Sequence, residues 1–108
     1  MFYEWREMKL RLDAARISQL EKALGNISPL TVFSRAGQNA MPPLSDLLTI
    51  LHYSLIAYNH SKKMEDTYAV YDNFVAEGGD MVELVKVIME VFKASGLIPK
   101  DTDLDEKN

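Results

Sequence analysis

The stretch from Pro42 to Tyr58, PPLSDLLTILHYSLIAY, constrains the fold more than any other part of this chain. The proline pair cannot lie inside a helix, although the second can serve as a first-turn residue. From there no Gly or Pro interrupts the chain as far as Asn59-His60. Leu44, Leu47, Leu48, Leu51, Leu55 and Tyr58 follow the i, i+3, i+4, i+7 spacing of an amphipathic helix. Ile50, Ser54 and Ala57 widen the stripe, and only Asp46, Thr49, His52 and Asn59 are plainly polar. A helix apolar over so much of its circumference is buried on more than one side. Residues 44–58 are therefore expected to form a central core helix with the others packed around it.

At 108 residues and 47% apolar, the chain suits one domain with a real core. It has no cysteine, which excludes a disulfide framework and thiolate chemistry and fits an intracellular protein. The net charge of −4 argues against a nucleic-acid binder, which would present a basic face. Lys62-Lys63 is too little for a helix-turn-helix. No apolar run approaches the ~20 residues of a membrane span, and the N-terminus is too charged for a signal peptide. Neither nucleic acid nor membrane is expected as a partner.

Residues 2–12 admit two readings. Met8, Leu10 and Leu12 alternate with Glu7, Lys9 and Arg11, a strand pattern that needs a hairpin through Trp5-Arg6-Glu7 or another subunit. The same residues are good helix formers, and Trp5, Met8, Leu12 and Ala15 make a helical stripe. No Asn-Gly or Asp-Gly marks a turn. Beyond them, Asp13 can cap a helix that buries Ile17, Leu20 and Leu24 and ends at Gly25. Ser28-Pro29 starts a short helix carrying Leu30 and Phe33 one turn apart. Gly37-Gln38-Asn39-Ala40 reads as a loop.

After the central helix, Asn59-His60-Ser61 breaks the pattern. A fourth helix is expected from Met64 to Glu77, with Glu65 and Asp66 at its positive end and Val70, Tyr71 and Phe74 buried. Gly78-Gly79 ends it, and Asp80 with Glu83 fits a capping box for a fifth helix. That helix carries Met81, Leu84, Val85, Ile88 and Phe92 on one face and closes at Gly96. The expected fold is mainly α, a compact bundle of about five helices around residues 44–58, with room for a short N-terminal strand or hairpin. One domain spans 1–98, and residues 99–108 form a flexible acidic tail.

No phosphate loop, Gly-x-Ser-x-Gly or His-Glu-x-x-His is present. His52 and His60 would stand about 12 Å apart along one helix, too far for one metal. Asp101 to Asp105 begins like a calcium loop but has Glu106 where glycine is needed. Glu65-Asp66 and Asp72 are explained by a helix end and a solvated face. No catalytic residue, cofactor or metal is expected. Tyr53, Tyr58, Tyr68, Tyr71 and Phe74 recur at helical spacing, as core residues or as anchors for a partner helix.

Four blocks together carry a resemblance. The first is Lys9-Leu10-Arg11-Leu12 with Ile17-Ser18-Gln19-Leu20-Glu21-Lys22-Ala23-Leu24-Gly25 and Ser28-Pro29-Leu30. The second runs from Pro43 to His52, followed by Tyr58-Asn59-His60. The third is Tyr71-Asp72 with Glu77-Gly78-Gly79, and the fourth is Val91-Phe92-Lys93-Ala94-Ser95-Gly96-Leu97. Their order and spacing resemble the tail assembly chaperones of long-tailed, siphovirus-type bacteriophages and prophages.

The resemblance implies a mostly helical, non-enzymatic protein of the host cytoplasm, absent from the finished virion. It would bind the long tape-measure protein and keep it soluble while tail-tube subunits polymerise around it. It also implies self-association into a homo-oligomer, and an N-terminal strand–Gly turn–strand hairpin whose turn glycine this chain lacks. Many such chaperones have a second, longer form made by ribosomal slippage, which would recruit the tail-tube protein. Glu106-Lys107-Asn108 can be encoded on a slippery heptanucleotide. A groove for the tape-measure helix is expected at Tyr53 and Ile56 of the central helix, with Tyr3 and Trp5. The alternative is a small helical adaptor or regulator of an unrelated pathway.

Overall fold

Local capping accounts for most of the helix boundaries in the computed structural model, which describes residues 2–37 and 41–101. The chain forms a hairpin of β1 (Tyr3–Trp5) and β2 (Met8–Leu10), followed by α1 (Ala14–Ala23), α2 (Pro29–Ala36), α3 (Leu44–Ile56), α4 (Met64–Ala76) and α5 (Met81–Ser95). This is the mainly α bundle expected, with the hairpin alternative realised at the N-terminus. Gln38-Asn39-Ala40, the calcium-like run beyond Asp101, most of the acidic tail and Glu106-Lys107-Asn108 lie outside the described residues.

Asp13 Oδ1 accepts from the Arg16 N–H at 2.9 Å and starts α1. Ser28 Oγ accepts from the Leu30 N–H at 3.1 Å, with Pro29 as the first residue of α2. Asp80 Oδ1 accepts from the Glu83 N–H at 2.9 Å and starts α5. At α4 the cap works backwards: the carboxylate of Asp66 in the first turn accepts from the Lys63 N–H at 2.8 Å. Helix α5 ends at Gly96, whose φ of +82° lets its N–H return to the last turn.

Helix α3 ends at Ile56, one half-turn earlier than the apolar run predicts. It lies against α1, α4, α5 and β2, so Leu47, Ile50, Leu51 and Leu55 are fully buried. Leu10, Leu12 and Leu20 join them from the N-terminal third, and Leu84, Ile88, Val91 and Phe92 from α5. On α2 the buried residues are Pro29 and Val32, while Leu30 is exposed. Phe33 is partly buried and meets Phe92 edge-on, with ring centroids 5.7 Å apart. Leu97 and Ile98 fold back onto the core.

The hairpin pairs Tyr3 with Leu10, Glu4 with Lys9 and Trp5 with Met8, in antiparallel register. Its two-residue turn is Arg6-Glu7, with φ of +52° and +69°. Two successive left-handed residues are what a tight hairpin turn requires, and Asn-Gly normally supplies them. Tertiary contacts hold this turn instead. The Arg6 guanidinium pairs with Glu77 and lies over the rings of Trp5 and Phe74. Beyond β2, the Arg11 N–H donates to the Ser54 carbonyl of α3 at 3.2 Å. The Leu12 N–H donates to Ser95 Oγ of α5 at 2.8 Å. The hairpin is thus tied to the two helices that form the core.

Candidate partner-binding surfaces

The hairpin lies over the groove between α3 and α5, with β2 on the α3 side and β1 on the α5 side. Period-2 alternation turns Tyr3, Trp5, Met8 and Leu10 towards the helices, and Glu4 and Lys9 away. Trp5 is buried, packed edge-on against Phe74 at 5.2 Å. Tyr3 is half-buried at the open side. Burial, helped by the Glu90 carboxylate, raises its phenol pKa above the ordinary value. A cleft of about 310 Å³ opens beside β1, with Tyr3, Trp5, Phe74 and Val87 among its walls and Glu83, Lys86 and Glu90 at its rim. A second cleft continues past Tyr3 and Glu90 to Lys93 and Lys100.

The residues expected to form one groove are divided. Tyr3 and Trp5 share the cleft over α5. Tyr53 and Ile56 are half-buried on α3 and line neither cleft. Tyr53 packs against the core and touches His52 edge-on at 5.3 Å.

Helix α4 carries exposed apolar side chains outside the groove expected at Tyr3, Trp5, Tyr53 and Ile56, although Tyr68 is among the aromatics that read as core or anchor. Thr67, Val70 and Phe74 turn towards α3. Met64, Tyr68, Tyr71 and Val75 follow at i, i+4, i+7 and i+11 beside that face; Met64 and Tyr71 are partly buried against the core, and Tyr68 and Val75 are exposed. Tyr68 is 50% exposed and Val75 43%. Glu65 and Asp72 border this row. The periodicity that places Tyr68 and Val75 at the margin of the buried face was the available signal. That they lie outside it depends on where the neighbouring helices sit.

Two smaller features complete the surface. Phe2 and Tyr58 meet edge-on at 5.7 Å, and Lys9 Nζ lies over both rings at 5.0 and 5.7 Å. Between α2 and the start of α3, Leu24, Val32, Arg35, Met41 and Asp46 line a cleft of about 250 Å³. Among the described residues, no group of three or more His, Asp or Glu side chains is placed to hold a metal ion, and no helix is long and apolar enough to cross a membrane.

Fold and surface together define a small mainly helical domain with a docked N-terminal hairpin and two exposed apolar side chains, Tyr68 and Val75, on α4. The chain belongs to a family of unknown function, DUF6096, whose model matches residues 4–107. No curated protein and no solved structure matches it.

Proposed function

We propose that this protein is a tail assembly chaperone of a long-tailed bacteriophage or prophage, a non-enzymatic binder of the tape-measure protein. The observation that carries the reading is the pair of exposed apolar side chains on α4, Tyr68 and Val75, two turns apart. A long, aggregation-prone helical client needs a reversible apolar surface, and Tyr68 and Val75 supply one at helical spacing. The resemblance of the four sequence blocks supplies the identity of the client. The N-terminal hairpin supports the same reading: it occurs where the resemblance calls for one, although Arg6-Glu7 replaces the turn glycine.

On this reading the protein works in the host cytoplasm and is left out of the finished virion. A longer form, made by slippage over the codons of Glu106-Lys107-Asn108, would bring tail-tube subunits to the held tape-measure protein. Tyr68 and Val75 would equally serve a helical adaptor of another pathway. Gene neighbourhood separates the two readings. A chaperone gene is expected between a tail-tube gene and a very long gene for a helical protein, and a neighbourhood without either contradicts the proposal.

A further inference from the structure

The outer edge of β1 is open. In a two-residue hairpin the pair flanking the turn, Trp5 and Met8, exchanges both main-chain hydrogen bonds, so the N–H and C=O of Glu4 point away from β2. No hydrogen bond reaches them among the described residues. Such an edge is a template for another strand. The cleft walled by Tyr3, Trp5, Phe74 and Val87 lies beside it, where the inward side chains of that strand would go.

The helix beneath supplies the register. Glu83, Lys86, Glu90 and Lys93 form one stripe along the outer side of α5, and all four border the two clefts. Their charges run −, +, −, + at spacings of three, four and three. Read backwards, the stripe is its own complement. Laid antiparallel on a second copy, Glu83 faces Lys93 and Lys86 faces Glu90, twice over, about a midpoint between Lys86 and Glu90. Tyr3 and Trp5 share one cleft with Glu83, Lys86 and Glu90, and Tyr3 shares the next with Glu90 and Lys93, which sets β1 alongside the stripe. A two-fold axis running beside β1 would relate both the strand edges and the stripes of two copies.

We propose that this face binds a second copy of the chain: β1 pairs antiparallel with β1 of the other copy, and the two α5 stripes match charge for charge. The result is a four-stranded sheet in the order β2-β1-β1-β2 with an isologous interface. Main-chain pairing and closure of the aromatic cleft hold it together, and the charges select the register. Glu4 is the one group placed against its own like, each Glu4 still beside its own Lys9. Glu90 also has an ion pair with Lys93 of its own helix at 3.6 Å. The strand edge and the α5 charges carry the proposal; the chaperone resemblance also implies self-association, and failure of this interface would leave the proposed binding of the tape-measure protein on α4 untouched.

Sedimentation of the full chain over a wide concentration range tests it. A reversible dimer is expected. Lys86→Glu turns two attractive contacts per dimer into repulsive ones and should weaken association about tenfold. Adding Glu90→Lys restores opposite charges at both contacts and should recover it, while Glu4→Gln should tighten it. Glu4 and Lys86 are exposed and Glu90 is partly exposed, and circular dichroism verifies that the variants fold. A chain monomeric at every concentration overturns the proposal. So does a dimer that Lys86→Glu leaves unchanged, or one that the double variant fails to restore.

Discussion

Nδ1 of His52 lies 2.9 Å from Oγ1 of Thr67, joining α3 to α4 through the one fully buried polar side chain of α4. With its hydrogen on Nε2, the neutral ring accepts the threonine hydroxyl proton. Burial lowers the His52 pKa below its ordinary 6.5, and the Asp66 carboxylate opposes this only in part. The unfolded chain therefore takes up the proton first as the pH falls, and stability contributed by neutral His52 is lost as the pH drops through about 6.5. The wild type is expected to lose more thermal stability between about pH 7.5 and about pH 5.5 than a His52→Gln variant. Equal losses would contradict this.

Thr67 itself gives a second test. Thr67→Val keeps the shape but leaves the histidine nitrogen without its protein partner. It should cost about 1–2 kcal/mol in denaturant unfolding, more than an exposed substitution such as Val82→Ala, which should stay within about 0.5 kcal/mol.

The Arg6-Glu7 turn pays for its backbone with long-range contacts, so its two residues should respond differently. Glu7→Gly relieves a left-handed residue and leaves the Arg6 contacts intact, and should raise stability by about 0.5–1 kcal/mol. Arg6→Gly relieves strain too, but loses the Glu77 pair and the stacking on Trp5 and Phe74, so its gain should be smaller or negative. Thermal melts of the two variants check the order.

Gly79 is held by packing. A Cβ there would lie 2.3 Å from ring atoms of Phe74, whereas one at Gly25 meets nothing within 4 Å. Gly79→Ala must displace the ring on which Trp5 stacks, at a cost of about 1–3 kcal/mol. It should also quench or shift the Trp5 fluorescence. Gly25→Ala carries only the strain of its positive φ and should leave that spectrum unchanged.

The parts of the fold legible in the sequence were those set by local chemistry. Asp13, Ser28 and Asp80 cap the helices they were expected to cap, and the leucines of α3 are buried where their spacing put them. What could not be read depended on distant partners. Nothing near Arg6-Glu7 marks a turn, because the residues that hold it, Phe74 and Glu77, lie some seventy positions away. Thr67 looks like a solvent residue to any hydrophobic periodicity, yet it is fully buried against α3 with His52 as its hydrogen-bond partner. Trp5, expected in a groove with Tyr53 and Ile56, is mostly consumed by the core, while Tyr68, which reads only as one of five aromatics that are core or anchor, is exposed on α4 with Val75.

Co-expression of this chain with the product of the neighbouring long helical gene tests the central claim most directly, with the soluble fraction of that product as the measurement. The wild-type chain is expected to move the long protein from the pellet into solution and to co-purify with it. A folded variant with Tyr68→Glu and Val75→Glu on α4 should fail to do so. A long protein equally insoluble with and without the wild-type chain would contradict the account.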